Sequence, residues 1–171
     1  MRKKENERGK IIHAIEEGRF YGKQGVNWLN AVSLTQDENR TIRERELQRV
    51  EEALRKAERE VNKKPVDLWA TVGEAMKGIG LQEVDEDYLT KNFNVSYDEA
   101  KKALQLNRHW EWSEEDAFGG IDIYHSPLTK CYYDVWGEWS KNTGYSLKVK
   151  QVCDQRELMD LLGFWEGEWL Y

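Results

Sequence analysis

The segment Leu89–Leu106 constrains the fold of this chain more than any other part of its sequence. Two short helices are predicted there, Asp85–Phe93 and Ser96–Leu106, because apolar residues recur in both at intervals of three and four. The turn between them is Asn94–Ser96, and its last residue begins the second helix. Ser96 is suited to cap the second helix, and Glu99, three residues later, completes the pattern of a capping box. The centre of the chain is therefore predicted to be helical, with a fixed turn.

A longer helix is predicted over Thr41–Lys64. Its apolar residues follow spacings of three and four and so form one seam along the helix: Leu47, Val50, Leu54, Ala57 and Val61. The seam is shorter than the three to four heptads that indicate a coiled coil. We expect it to pack on the rest of the chain, and the alternative is a homodimer through Leu47, Val50, Leu54 and Val61.

The remaining pattern predicts a further helix and then a small sheet. Asp67–Lys77 has helical spacing and is followed by glycine. After Leu106 the pattern alternates, which is typical of strands. Two hairpins are predicted, the first from His109–Trp112 with Ile121–Tyr124 and the second from Cys131–Trp136 with Tyr145–Val152.

A final capped helix is predicted over Asp154–Leu162. The predicted fold class is α+β, with one long helix in a helical N-terminal half, a central unit of three helices, a small antiparallel sheet and a closing helix. The expected division is a helical arm over residues 1–64 and the remaining elements over 65–171, and the alternative is one compact domain.

A cytoplasmic location is expected by default. No apolar run approaches the roughly 18 residues that a membrane span needs, and the basic N-terminus lacks the apolar region of a signal peptide. Because cytosolic proteins rarely carry disulfides, Cys131 and Cys153 are expected to be reduced and packed.

The central helices resemble a known DNA-binding arrangement. The apolar positions of a helix-turn-helix are filled here by Leu89, Phe93, Val95, Ala100, Ala103 and Leu104. Residues 85–106 resemble winged-helix transcription regulators of the GntR type. The resemblance implies that Asp67–Lys77 is the preceding helix, that His109–Tyr124 is a wing, and that DNA would be read by Tyr97, Asp98, Lys101, Lys102 and Arg108.

The charge distribution points to a different partner. Residues 1–64 carry 16 Lys and Arg against 12 Asp and Glu, a net charge of +4, whereas residues 65–171 carry 10 against 20, a net charge of −10. Carboxylates at the start of the reading helix and at the wing tip repel phosphate. A basic protein partner is expected instead, bound through Glu83, Asp85, Glu86, Asp87, Glu111, Glu114, Glu115 and Asp116.

Aromatic residues are the second expected contact. The chain has eight tryptophans, and Trp and Tyr commonly anchor protein interfaces. Trp110 and Trp112 fall on one face of a predicted strand, and Trp165, Trp169 and Tyr171 lie in the C-terminal tail. The tail is expected to dock either on this chain's own sheet or on a partner.

No catalytic pattern is recognised. The sequence has no HExxH, P-loop, GxSxG or GxGxxG motif. Asp122, His125 and Cys131 would converge if the sheet pairs as predicted, but their spacing matches no standard metal site or Cys–His dyad. No catalytic residue, metal or cofactor is expected.

The function expected from these features is stoichiometric binding. The chain would be a small, non-enzymatic regulatory or inhibitory protein whose acidic, aromatic surface takes the place of DNA on a partner. A phage or mobile-element inhibitor of a nuclease or a CRISPR effector is one such setting. The alternative is a helix-turn-helix transcription regulator that binds DNA.

Overall fold

The computed structural model describes residues 36–164. The chain forms two compact units, residues 1–42 and residues 43–171. In the first unit, residues 36–42 form the opening turns of the long helix, where the side chain of Arg40 donates to Asp37 at 3.0 Å. Most of the long helix packs with the sheet of the second unit.

Five helices and five strands are present among the described residues. The helices are α1 (Gln36–Lys63), α2 (Leu68–Gly78), α3 (Glu86–Asn92), α4 (Tyr97–Asn107) and α5 (Gln155–Leu161). The strands are β1 (Gln82–Glu83), β2 (Trp110–Trp112), β3 (Asp116–His125), β4 (Tyr132–Ser140) and β5 (Gly144–Val152). The predicted α+β class with a closing helix is confirmed. Within residues 36–164, no helix combines the length and the apolar character needed to cross a membrane.

The strands form one antiparallel sheet in the order β1-β3-β4-β5, and β2 also pairs with β3. The second predicted hairpin, β4 with β5, is confirmed. The first hairpin is tighter than expected, because β3 begins at Asp116 rather than at Ile121. Ser113 closes its turn, with the backbone amide donating to the Asp116 carbonyl at 2.8 Å.

Helices cover both faces of the sheet. Tyr132 and Tyr133 are neighbours on β4 and so point to opposite faces, and they belong to two different apolar clusters. The cluster around Tyr133 contains the buried residues of α1 and α2, and the cluster around Tyr132 contains those of α3, α4 and α5. The three central helices are therefore all present, but α2 lies across the sheet from α3 and α4.

The seam of α1 is buried within the chain. Val50 and Leu54 are fully buried and Val61 is 8% exposed, all in the cluster with the sheet, and Leu47 packs against that cluster. The interpretation that the seam packs on the rest of the chain is confirmed. A homodimer through these residues would require α1 to leave the sheet.

Cys131 and Cys153 form a disulfide, so the expectation of two reduced thiols is wrong. The physical reason is the register of the β4–β5 hairpin. Tyr132 pairs with Val152, which places the next residues outward, Cys131 and Cys153, directly opposite each other. Their Cα atoms are 4.2 Å apart, so the bond closes the open end of the hairpin.

Candidate protein-binding surface

Aromatic rings gather where β2 meets α2 and β5. Trp110 lies at the centre, with its ring 6.2 Å from Trp69 and 6.1 Å from Tyr145. Trp112 stacks on Trp110 at 5.6 Å and lies 5.8 Å from Trp139. Trp110 is 8% exposed and Trp112 is 59% exposed. Trp110 therefore supports the cluster from inside, whereas Trp112 presents an aromatic surface to solvent.

Gly119 makes room for Trp110, and the backbone carbonyl of Gly120 binds its indole. A Cβ atom on Gly119 would lie 2.4 Å from the Cγ atom of Trp110 and 2.5 Å from the carbonyl oxygen of His109. The indole Nε1 of Trp110 donates to the carbonyl oxygen of Gly120 at 2.9 Å. This hydrogen bond satisfies the polar end of a buried indole. These contacts fix the position of Trp110, and Trp112 is positioned in turn by stacking on it.

The turn between β2 and β3 is acidic and well ordered by hydrogen bonds. The Ser113 hydroxyl donates to the Asp116 carboxylate at 2.7 Å, and the backbone amide of Lys141 donates to the Glu115 carbonyl at 2.9 Å. All four predicted acidic residues of this region are exposed: Glu111, Glu114, Glu115 and Asp116. Their charges are thus presented to solvent from a fixed backbone.

A cleft of about 530 Å³ opens beside this turn. We call it the acidic cleft, and among the described residues it is lined by Glu115, Asp116, Ala117, Phe118, Glu138, Trp139, Ser140, Asn142, Thr143, Gly144 and Ser146. Every charged side chain in that set is a carboxylate. Phe118 is 58% exposed and lies opposite Glu138 in the register. The cleft therefore combines negative charge with an exposed aromatic ring.

The other predicted acidic residues lie elsewhere. Glu83 pairs with Tyr124 on β3, whereas Glu111 pairs with Phe118, a separation of roughly 20 Å along the strand. Asp85 caps α3 by accepting from the backbone amide of Tyr88 at 2.9 Å. Glu86 and Asp87 follow in the first turn of α3. The eight expected carboxylates thus form two groups, one near the β2–β3 turn and one near the start of α3.

Arg108 links that second group to the sheet. Its guanidinium lies 2.9 Å from Glu83 and 2.6 Å from Asp122. Asp122 is 7% exposed, and this burial raises the pKa of its carboxyl to about 6, although Arg108 acts in the opposite direction. The Tyr124 hydroxyl donates to the same carboxylate at 3.4 Å. Arg108 is therefore partly buried and pairs with two carboxylates of the sheet.

The remaining residues expected to read DNA are on the surface of α4. Tyr97 is 53% exposed, and Asp98, Lys101 and Lys102 are exposed. The predicted capping box of Ser96 and Glu99 is present at the start of this helix. Glu99 is therefore used in the cap, and Asp98 adds a second negative charge at the end where phosphate would approach.

The three residues that would converge if the sheet paired as predicted, Asp122, His125 and Cys131, are engaged in other contacts. The disulfide removes the Cys131 thiol, so a Cys–His dyad is excluded. The His125 ring packs 4.8 Å from Tyr132 and 5.4 Å from Tyr88. Burial, and next the charge of Lys130, lowers the pKa of His125. Across residues 36–164, no group of three or more His, Cys, Asp or Glu side chains is arranged to hold a metal ion.

Sequence reasoning missed a buried carboxylate on α1. Glu46 is 6% exposed and accepts from three hydroxyl groups, those of Ser126, Thr129 and Tyr133, with the last two at 2.6 Å. These bonds tie α1 to the β3–β4 connection. The helical spacing could have indicated its burial, because Glu46 lies four residues before Val50 and so continues the buried seam.

The predicted aromatic residues Trp165, Trp169 and Tyr171 lie outside the described residues, as does nearly all of the tail whose docking was predicted. The residues missed at the acidic cleft are Phe118, Glu138 and Trp139. They were not found because β3 was predicted to start at Ile121, which placed Phe118 in a loop and left its partner on β4 unassigned.

Comparison with known proteins adds no family. No family model, curated protein or solved structure matches this chain. The resemblance of residues 85–106 to GntR-type regulators therefore rests on the residues of that segment alone, and function has to be inferred from the surface itself.

Proposed function

We propose that the chain is a non-enzymatic regulatory or inhibitory protein that binds a basic protein surface stoichiometrically through the acidic cleft. The observation that carries the proposal is the lining of this cleft, where Glu115, Asp116 and Glu138 surround an exposed Phe118. Lys and Arg side chains on a partner would meet only negative charges in the cleft. Complementary charge of this kind speeds association and selects the partner.

The aromatic side chains favour partners that are rich in arginine over partners that are rich in lysine. Arginine stacks its planar guanidinium on aromatic faces while donating to carboxylates, whereas lysine is a compact point charge. Phe118, 58% of whose surface is exposed, provides an aromatic face inside the cleft, next to its carboxylates. A cation over such a face gains about 0.5 to 1 kcal/mol at exposed sites. The arrangement therefore favours an arginine-rich surface.

Proteins that handle nucleic acids present such surfaces, because they neutralise phosphates with Lys and Arg. A nuclease or a CRISPR effector blocked by a phage or mobile-element protein is the setting that we propose on this chemistry. The disulfide argues against the cytoplasmic location expected from the sequence, since disulfides persist mainly in oxidising compartments. To act in a reducing cytosol, the chain would have to stay folded with both thiols reduced.

The test is calorimetric titration of the protein with a short arginine-rich peptide. The variant Glu114→Lys, Glu115→Lys and Glu138→Lys reverses three exposed charges at the cleft and its turn. We expect it to weaken binding by about 0.6 to 3 kcal/mol at low salt, roughly 3- to 150-fold in Kd, because each exposed ion pair contributes about 0.2 to 1 kcal/mol.

The matched control reverses three exposed glutamates on α1, with Glu51→Lys, Glu52→Lys and Glu60→Lys. The change in net charge is the same, so a loss confined to the cleft variant identifies the cleft. Equal losses in both variants would mean that only net charge matters, and undiminished binding by the cleft variant would refute the proposal.

DNA binding by α4 is the second candidate, favoured by the exposure of Tyr97, Lys101 and Lys102 on one short helix. Its test is fluorescence anisotropy against mixed-sequence duplex DNA at about 50 and about 200 mM salt. Phosphate contacts would give binding at the lower salt that falls steeply at the higher one. Absence of binding at both would eliminate this candidate.

A further inference from the structure

The strand β5 ends the sheet on one side, because it pairs with β4 and with no other described strand. Alternate residues of an edge strand direct their backbone groups away from the sheet. On β5, Tyr145 and Leu147 are residues of this kind, since their amides and carbonyls bind groups outside the sheet. Unpaired groups on such an edge are a template for pairing with another chain.

Side chains of α1 occupy this edge. The carboxamide of Asn62 donates to the Tyr145 carbonyl at 3.0 Å and accepts from the Tyr145 amide at 2.7 Å. Glu58 accepts from the Leu147 amide at 2.8 Å, and Arg55 donates to the Leu147 carbonyl. A carboxamide has the same donor and acceptor as a peptide group, so Asn62 takes the place of one residue of a neighbouring strand.

The turn before β5 is shaped to admit Asn62. Gly144 has a φ angle of +80°, and a Cβ atom there would lie 2.5 Å from the Oδ1 atom of Asn62. Glycine adopts this conformation without the steric cost that other residues incur. The edge contact therefore involves both the helix that supplies the side chain and the turn that makes room for it.

We infer that the outer edge of β5 is a latent pairing surface for a second copy of this chain, and that Arg55, Glu58 and Asn62 hold it closed. The second copy is the fitting occupant because β5 can pair with itself. An antiparallel register centred on Leu147 sets Tyr145 opposite Val149 and Lys148 opposite Ser146. That register aligns apolar residues on one face and avoids a directly opposed pair of lysines, which would be destabilising.

The variant Arg55→Ala, Glu58→Ala and Asn62→Ala tests this inference. Light scattering across a concentration series should show dimers or larger species, whereas the wild type stays monomeric. In dilute, monomeric samples, hydrogen exchange at the Tyr145 and Leu147 amides should quicken roughly tenfold per lost hydrogen bond. In concentrated, associated samples it should slow again, because a partner strand then covers the same amides.

The control variant Gln48→Ala, Arg59→Ala and Glu60→Ala removes the same three chemical types from exposed positions of α1. It should remain monomeric, and equal association by the control would overturn the inference. A folded triple variant that stays monomeric at every concentration would also overturn it. If circular dichroism shows the triple variant to be unfolded, Asn62→Ala alone decides, with faster exchange at Tyr145 and association expected, and wild-type behaviour overturning the inference.

Discussion

Replacing Cys131 and Cys153 by alanine removes the bond that closes the open end of the β4–β5 hairpin. The two residues are 22 positions apart. In the unfolded chain, the bond therefore closes a loop of about that length and reduces its conformational entropy. The chain-entropy relation gives about 3 kcal/mol for such a loop. For a chain of this size, that loss lowers Tm by roughly 6 to 12 °C.

The assay is urea denaturation of three samples, namely oxidised wild type, wild type with a reductant, and the double alanine variant. The oxidised protein should be the most stable by about 3 kcal/mol. The reduced protein and the variant should lie close together, because the hairpin register remains and only the cross-link is lost. The variant also serves as the control for the reductant, since its stability should not respond to it.

Two results would refute this reasoning. Two free thiols in a titration of the unfolded, unreduced protein would mean that the register of β4 and β5 does not bring Cys131 and Cys153 together. A variant as stable as the oxidised wild type would show instead that the cross-link does not restrict the unfolded chain.

Three further perturbations test the packing around the surface. Asp122 has a pKa raised by burial from 3.8 to about 6, so its contribution to stability is present below about pH 4 and lost as the pH rises through 6. Relative to Asp122→Asn, the wild-type free energy of unfolding should therefore fall over that range by at most about 3 kcal/mol, and parallel pH profiles would contradict this. Glu46→Ala should cost about 2 to 4 kcal/mol in urea denaturation because it leaves three hydroxyl donors without their acceptor, whereas the exposed Glu44→Ala should change little. Gly119→Ala should displace the stacked tryptophans and alter the near-ultraviolet circular dichroism, while Gly78→Ala, with nothing within 4 Å of the added Cβ, should not.

Local signals predicted the helices well. The cap predicted at Ser96 is present at the start of α4, and Asp67 and Asp85, the first residues of their predicted segments, cap α2 and α3 in the same way, each accepting from a backbone amide of the first turn. A cap depends on residues within one turn of each other, so the sequence contains all the information it needs. The same holds for the seam of α1, whose spacing specifies a buried face.

Features that depend on register were not predicted. Cys131 and Cys153 both lie eleven residues from Asn142, so a hairpin centred there would have paired them, but the pattern fixed the strands and not their alignment. The acidic cleft needs the β3–β4 register to set Phe118 beside Glu138. Which helix lies on which face of the sheet likewise depends on packing over long distances, and helical spacing carries no information about that.

The most direct test of the binding surface is hydrogen exchange with and without the arginine-rich peptide. Binding at the acidic cleft predicts slower exchange in the β2–β3 turn and in residues 138–146, where its lining lies, with no change across α3 and α4. Protection confined to α3 and α4, or no protection in a sample that calorimetry shows to be saturated, would contradict the account.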